Sequence, residues 1–231
     1  MLKRWEELPA FMRSDEVRPY WEVLSKKRGQ LLLKRCFDLV IALVLLIILV
    51  IPMAVIAVLI KMEDPGPAFY RQERITIYGK RFRIHKFRTM VVNADKIGTT
   101  ITVGEDPRIT RIGKRLRGLR LDELPQVFDV IKGDMSFVGT RPEAVKYVEQ
   151  YKPEYNATLL MPAGITSEAS IRYKDEAKLL DAAADVDKVY IEQVLPVKMK
   201  WNLNSIERFS FLREILTMFR TVFAVLGKDY E

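Results

Sequence analysis

Two adjacent carboxylates, Asp122 and Glu123, have the residue types and the surroundings for chemistry on anionic groups. They follow a run of cations and precede Pro125, and proline is favoured in the first turn of a helix. Carboxylates in such a setting suit phosphate chemistry with a hard, oxygen-bound cation such as Mg²⁺. The same pair could instead be a helix cap, with Asp122 capping and Glu123 solvated. The two residues alone leave both interpretations open.

The cations before the pair are predicted to lie on a short amphipathic helix, because Ile112, Leu116 and Leu119 recur at helical spacing. Such a dense basic face requires a negative partner, either lipid headgroups or a phosphorylated ligand. After the pair, Arg141 precedes Pro142 and is therefore restricted to extended backbone. An arginine fixed in this way suits bidentate contact with a phosphate.

One long apolar segment, Phe37–Ile60, contains 24 residues, and Asp38 is its only charge. As a helix of roughly 1.5 Å per residue it would measure about 36 Å, enough for a hydrocarbon core of about 30 Å. Pro52 lies inside the segment and is expected to bend or break the helix. Both flanks are basic, which fits two ends on one membrane face. A reentrant hairpin and a proline-kinked crossing are both consistent with the segment.

Composition narrows the classes of partner and of metal site. The net charge of +8 indicates an anionic partner, whether nucleic acid, acidic lipid or a phosphorylated substrate. A single cysteine, Cys36, excludes an intramolecular disulfide. With His85 as the only histidine, a structural zinc site is not expected.

Four regions are predicted: a leader over 1–33, a membrane helix over 34–61, a body over 62–180 and amphipathic helices over 181–231. The leader is either an interfacial segment or a surface helix packed on the body. Arg81 to Met90 is predicted to be a half-exposed strand, and Val91 to Glu105 a loop or lid. The apolar face after Ile206 either packs on the body or lies on the membrane.

Several motifs occur in a specific order between Lys34 and about Ser170: KRCFDL, DPGPAFYRQER, KFRTM, DPRITRIGKRLR, LDELPQ, KGDMSFVG, RPE and PAGIT. Their order and spacing closely resemble the bacterial sugar transferases, the monotopic phosphoglycosyl transferases that begin lipid-linked glycan assembly. The resemblance implies a mainly α fold with a small β element (α+β) and a reentrant membrane helix broken near Pro52. It places the body on the cytoplasmic face of the inner membrane.

The reaction that the resemblance implies moves a sugar 1-phosphate from a UDP-sugar to polyprenyl (undecaprenyl) phosphate. By position, Asp122 corresponds to the family's nucleophile and Glu123 to its Mg²⁺ ligand. The turn of Arg141, Pro142 and Glu143 corresponds to residues at the nucleotide end of the donor. The candidates for stabilising transition-state charge are Arg88, Arg111, Lys114 and Arg117.

The chain departs from the family pattern at Thr140, where the family has proline in GPRP, and at Ser167 and Glu168, which replace a glycine region. Membrane lipids are expected partners, nucleic acid is not, and a homo-oligomer is left open. Two alternative hypotheses about the function remain. The protein could be a basic nucleic-acid-binding protein, or a membrane-anchored scaffold whose carboxylate pair is only a helix cap.

Overall fold

A computed structural model describes residues 2–94, 106–173, 179–180, 183 and 185–225, and it has the predicted mainly α architecture with small sheets. The helices are α1 Arg18–Ser25, α2 Arg28–Glu63, α3 Arg111–Gly118, α4 Val127–Lys132, α5 Val145–Val148, α6 Glu168–Arg172, α7 Val186–Val189, α8 Leu195–Glu207 and α9 Phe211–Val225. The strands are β1 Phe69–Ile75, β2 Arg81–Phe87, β3 Met135–Val138 and β4 Ala163–Thr166. Short 3-10 helices span Trp5–Glu7, Ala10–Met12, Ile77–Gly79, Leu121–Gln126 and Pro153–Leu160, and Tyr190–Val194 is a π-helical turn.

The apolar segment forms the central part of α2, a helix of 36 residues that continues through Pro52. The expected break of the helix near Pro52 is therefore wrong, because the segment is not divided into two helices. Proline removes one backbone donor, and a long helix can accommodate that loss by bending. Among the described residues, α2 is the one helix long and apolar enough to cross a membrane.

One stripe of α2 faces the protein, and the rest of its apolar surface is exposed. Ala42, Met53 and Ile60 are buried at helical spacing, whereas Ile47 is 76% exposed and Ile51 73% exposed. A stripe of this kind lets the helix pack on the body while presenting its other faces to an apolar solvent.

Both ends of α2 are fixed to the same body by hydrogen bonds. Near the start, the Arg35 guanidinium donates to the carbonyl oxygens of Val130 at 2.7 Å and Ile131 at 3.0 Å, near the end of α4. At the other end, the Glu63 carboxylate accepts the backbone N–H groups of Arg111 at 2.8 Å and Ile112 at 2.9 Å. These are unpaired donors at the start of α3, so Glu63 caps that helix.

The two sheets hold the segments that surround the carboxylate pair. β1 and β2 form an antiparallel hairpin with Phe69 opposite Phe87, and the helix preceding them ends at Glu63, before the Pro-Gly-Pro turn. β3 and β4 pair in parallel. Beyond β3 the backbones approach so closely that a Cβ on Gly164 would lie 2.2 Å from the Gly139 nitrogen. Glycine at position 164 therefore permits the approach that sets the direction of the chain into Arg141.

The leader packs on the body, which is one of the two arrangements expected for it. Leu8, Met12, Val17 and Leu24 are buried in one cluster with apolar side chains of α8 and of the Pro153–Leu160 helix. Pro196 lies in the first turn of α8, directly after the π-helical turn. Residues 95–105 of the predicted loop or lid lie outside the described residues.

Candidate active site

The backbone around the carboxylate pair is irregular, as its candidate role requires. After α3 the chain turns at Arg120, which has left-handed dihedrals of φ 56° and ψ 19°. Asp122 and Glu123 then occupy the first turn of the Leu121–Gln126 helix. That 3-10 helix leads directly into α4, which ends at Gly133, a glycine with φ 85°. The N-cap residue of the Leu121–Gln126 helix is Arg120 and not Asp122, so the simple capping role of Asp122 is not observed.

Glu123 is the electrostatic centre of the site. The Arg141 guanidinium pairs with both carboxylate oxygens, donating from Nη2 to Oε1 and from Nη1 to Oε2 at 3.4 Å. Lys86 Nζ donates to Oε1 at 3.2 Å. Burial alone would raise the pKa of Glu123, but the charges of Arg141 and Lys86 lower it to about 2. Glu123 is therefore a carboxylate anion at neutral pH.

Asp122 is the carboxylate left available. In the part of the chain that the structure describes, its side chain makes no hydrogen bond to another residue. Burial and the neighbouring Glu123 charge raise the pKa of Asp122 above its ordinary value, and the charges of Lys86 and Arg117 act in the opposite direction. A half-buried carboxylate that makes no hydrogen bond to another described residue and lies near cations is suited to attack on an electrophilic phosphorus.

Lys86 is the residue of this site that the sequence-based candidates omitted. It lies on β2, where Phe82 and Ile84 alternate with exposed arginines and are buried. The same period-two pattern assigns Lys86 to the buried face. An inward-facing lysine on an otherwise apolar strand face is therefore the signal in the sequence that could have identified it.

Some cations of the basic helix α3 lie near the site, and others are exposed to solvent. A Cβ on Gly113 would lie 2.0 Å from the Thr89 carbonyl oxygen, so glycine allows α3 to pack against that backbone. Arg117 donates to Thr89 Oγ1 at 2.9 Å and lies close enough to influence Asp122. Arg111 and Lys114 are exposed. Of the α3 candidates, the structure thus brings Arg117 to the pair.

Arg88 is buried and contacts Asp64, the residue that follows α2. Its guanidinium donates to the Asp64 carbonyl oxygen and lies 3.7 Å from the Asp64 carboxylate. Two of its nitrogens, Nε and Nη1, have no hydrogen-bond partner among the residues that the structure describes. Arg88 therefore positions the turn after α2 and keeps unused donors, and its predicted role towards substrate stays a prediction.

The two charged side chains of the Arg141-Pro142-Glu143 turn point in different directions. Arg141 reaches Glu123, whereas Glu143 is buried and accepts a hydrogen bond from Tyr190 at 2.7 Å. Lys198 Nζ lies 3.3 Å from the same carboxylate. Pro142, between Arg141 and Glu143 in the sequence, is buried. The Glu143 carboxylate is thus committed to the body's interior.

The residues present fit Mg²⁺ bound together with a substrate better than Mg²⁺ bound alone. No cluster of three or more His, Cys, Asp or Glu that could hold a metal occurs within residues 2–94, 106–173 and 185–225. Mg²⁺ at phosphate sites uses one or two carboxylates and completes its shell with phosphate oxygens and water. The ionised Glu123 can provide such a carboxylate once Arg141 and Lys86 release one of its oxygens.

A cavity of about 370 Å³ lies elsewhere, between α6, α8 and α9, and neither Asp122 nor Glu123 lines it. The chemistry we assign to the pair rests on its residues and electrostatics, since an open phosphate site at a surface need not form a deep pocket.

Comparison with known proteins identifies the family of this chain. The sequence profile described as bacterial sugar transferase matches residues 29–228, most of the chain. The chain belongs to the bacterial sugar transferase family. The resemblance to the bacterial sugar transferases that the motifs indicated is thereby confirmed, and with it the expectation that the protein is a transferase.

Three relatives illustrate the family. A Bacillus subtilis protein, named provisionally as an undecaprenyl-phosphate N-acetylgalactosaminyl 1-phosphate transferase, is 43% identical over 67% of this chain and 86% of its own length. A UDP-N-acetylgalactosamine–undecaprenyl-phosphate N-acetylgalactosaminephosphotransferase of Aeromonas hydrophila is 36% identical over 84% of this chain. A UDP-glucose:undecaprenyl-phosphate glucose-1-phosphate transferase of Escherichia coli is 36% identical over 83%. The aligned region spans 44% of the Aeromonas protein and 40% of the Escherichia protein.

Proposed function

We propose that this protein transfers a sugar 1-phosphate from a UDP-sugar to undecaprenyl phosphate, as the first membrane step in the assembly of a glycan. The observation that carries the proposal is the Asp122 carboxylate, which makes no hydrogen bond to another described residue and lies between Glu123 and the cations Lys86 and Arg117. The names of the family's members supply the substrate classes, a UDP-sugar and undecaprenyl phosphate.

In the first half-reaction, an Asp122 carboxylate oxygen attacks the phosphorus that carries the sugar. A new aspartyl oxygen–phosphorus bond forms while the bond from that phosphorus to the bridging oxygen breaks, and UMP leaves with the electron pair. Asp122 must be deprotonated for this step. Lys86 and Arg117 favour its charged form and can also stabilise the negative charge that grows on the phosphoryl oxygens.

In the second half-reaction, a phosphate oxygen of undecaprenyl phosphate attacks the same phosphorus. The aspartyl oxygen–phosphorus bond breaks, Asp122 returns as a carboxylate, and the sugar diphospholipid is released. An acyl phosphate is reactive enough for this exchange and needs protection from water, which a half-buried site provides.

Glu123 would hold Mg²⁺, which when bound offsets the charge of the diphosphate and aligns it. Arg141 forms an ion pair with Glu123 and is half-exposed, so it can move from that carboxylate onto a phosphate of the donor. Exchange of one anionic partner for another keeps the guanidinium neutralised throughout.

The membrane arrangement follows from α2. A lipid acceptor keeps its phosphate at the interface, so the site must lie at headgroup depth. Hydrogen bonds from both ends of α2 to one body support a reentrant helix, bent at Pro52, over a crossing helix. With basic residues on both flanks, the body is proposed to lie on the cytoplasmic face of the inner membrane, in a monotopic arrangement.

The test is a UMP-release assay on the full chain in detergent or nanodiscs with Mg²⁺ and undecaprenyl phosphate. UDP-N-acetylgalactosamine, UDP-glucose and UDP-galactose form the donor panel. At least one donor should release UMP, and EDTA should stop the release. A chain that binds DNA in a salt-dependent manner and releases UMP from none of the panel would instead support the nucleic-acid-binding reading.

A further inference from the structure

The cavity between α6, α8 and α9, here the α8–α9 cavity, is not used by the proposed reaction. At about 370 Å³ it has the size of a ligand site. Two features of its lining indicate what it would bind: an amide without a partner and an excess of positive charge.

The amide belongs to Asn202, which is 4% exposed and lines the cavity from α8. Its side chain has no hydrogen-bond partner among the described residues. A polar side chain that lines a cavity and has no protein partner there normally has a water or a ligand beside it.

The charge comes from arginines. Four arginines and two glutamates line the cavity, which leaves an excess of two positive charges. Glu168 already forms ion pairs with Arg172 at 2.9 Å and with Arg220 at 3.2 Å. Glu214 is likewise paired, with Lys34 at 2.5 Å. Both lining carboxylates are therefore neutralised by cations.

The two remaining arginines, Arg208 and Arg213, are exposed and make no ion pair within the described residues. Exposed guanidinium groups beside a buried amide donor are a suitable set for the oxygens of a phosphate.

An apolar surface adjoins the same cavity. Leu216 lines it and is 48% exposed, and Leu212 and Phe219 on the same helix are exposed as well. An edge-to-face contact between Phe37 and Phe211, with ring centroids 5.6 Å apart, joins α9 to the candidate membrane helix α2. A ligand held by the arginines could therefore extend a hydrocarbon chain over this surface.

We propose that the α8–α9 cavity binds the phosphate headgroup of a membrane lipid, whose hydrocarbon chain lies along the exposed face of α9 beside α2. The phosphate oxygens accept hydrogen bonds from Arg208, Arg213 and Asn202. This site is separate from the carboxylate pair and does not rest on the proposed transfer reaction. Both an isoprenyl phosphate and a phospholipid carry the required chemistry.

The test is equilibrium binding to the full chain in an uncharged detergent, followed by the fluorescence of Trp201, which lines the cavity. Trp201→Phe assigns the signal to this site. The probes are farnesyl phosphate, a short-chain phosphatidylglycerol, farnesol and inorganic phosphate. At least one lipid phosphate should bind about tenfold or more tightly than both farnesol and inorganic phosphate, because charge and chain act together. The preferred lipid identifies the source, an isoprenyl monoester or a phospholipid diester.

The charge-neutral double variant Arg208→Gln/Arg213→Gln should weaken that binding at least about tenfold. Because both side chains are exposed, its fold should be retained. Asn202→Asp, checked by thermal unfolding, should weaken binding as well, since it places an anion against the phosphate. The matched control Arg13→Gln/Lys26→Gln removes two exposed charges elsewhere. Equal binding by the double variant and this control would overturn the proposal, as would equal affinity for inorganic phosphate and lipid.

Discussion

Glu123 and Glu143 are both buried carboxylates paired with cations, and they differ in what surrounds those cations. Glu143 is enclosed, because its partners Tyr190 and Lys198 are themselves buried. Glu123 is 12% exposed, but its partner Arg141 is 32% exposed, and the carboxylate of Asp122 is beside it.

The difference shows what marks a reactive site among buried charges. Replacing a partner of Glu143 would leave a charge without compensation in the interior, so that network can only stabilise the fold. Arg141 can leave Glu123 and find water or a phosphate, so the Glu123 network can exchange partners. Burial and charge are common to both regions, whereas partner exchange and an available nucleophile occur in one.

Asp122→Asn should have the largest effect on catalysis. It removes the nucleophile, so UMP release should fall on the order of 10³-fold or more. Because Asp122 makes no hydrogen bond to another described residue, the free energy of unfolding should change by less than about 1 kcal/mol. The control is Asp15→Asn, at an exposed position. Unchanged UMP release from a folded Asp122→Asn protein would favour the scaffold reading.

Glu143→Gln should show the opposite pattern. It removes the negative charge of Glu143 from beside the buried Lys198 ammonium, and the loss of stability should be on the order of 3 kcal/mol in urea unfolding. Glu149→Gln, an exposed change in the same segment, should have almost no effect. Full stability together with strongly reduced UMP release would instead place Glu143 in the reactive site.

Arg141→Gln should have opposite effects on turnover and on metal binding. Turnover should fall about 10²-fold, as for loss of a transition-state donor. Binding of Mn²⁺ to the protein without donor, followed by electron paramagnetic resonance, should become tighter because Glu123 loses a competing cation. Arg115→Gln, an exposed change on α3, is the control. Metal binding that is the same in both variants would rule out exchange at Glu123.

Arg117→Gln should have the smallest effect, a shift in the pH dependence. Activity needs ionised Asp122, so UMP release falls as pH drops through the pKa of that residue. Burial and Glu123 already raise this pKa, and the Arg117 charge lowers it. Loss of Arg117 should therefore move the acid limb of kcat/KM to higher pH. An acid limb that stays in place, or moves to lower pH, would show that Arg117 does not act on Asp122.

Local signals in the sequence predicted the elements that depend on nearby residues. The apolar segment of α2 and the helical spacing of α3 each involve contacts only a few residues apart. The pair Asp122 and Glu123 was identified through its motif, and the irregular backbone it needs is present at Arg120.

Features that depend on distant pairing could not be predicted in the same way. The parallel pairing of Met135 with Ala163 has no local signal, nor does the burial of Leu24 against the C-terminal helices. The different directions of Arg141 and Glu143 also depend on Lys198, which is far along the chain. At Pro52 the sequence overstated the effect of proline, because packing along one stripe maintains the helix.

The most direct measurement of the proposed chemistry is the intact mass of the protein after incubation with a UDP-sugar and Mg²⁺ in the absence of acceptor lipid. A covalent aspartyl intermediate predicts a mass increase of one sugar phosphate, located at Asp122 by peptide mapping, absent in Asp122→Asn and lost on adding undecaprenyl phosphate. Turnover of the same donor by the complete system, with rapid mixing revealing no adduct at any time, would contradict a covalent role for Asp122.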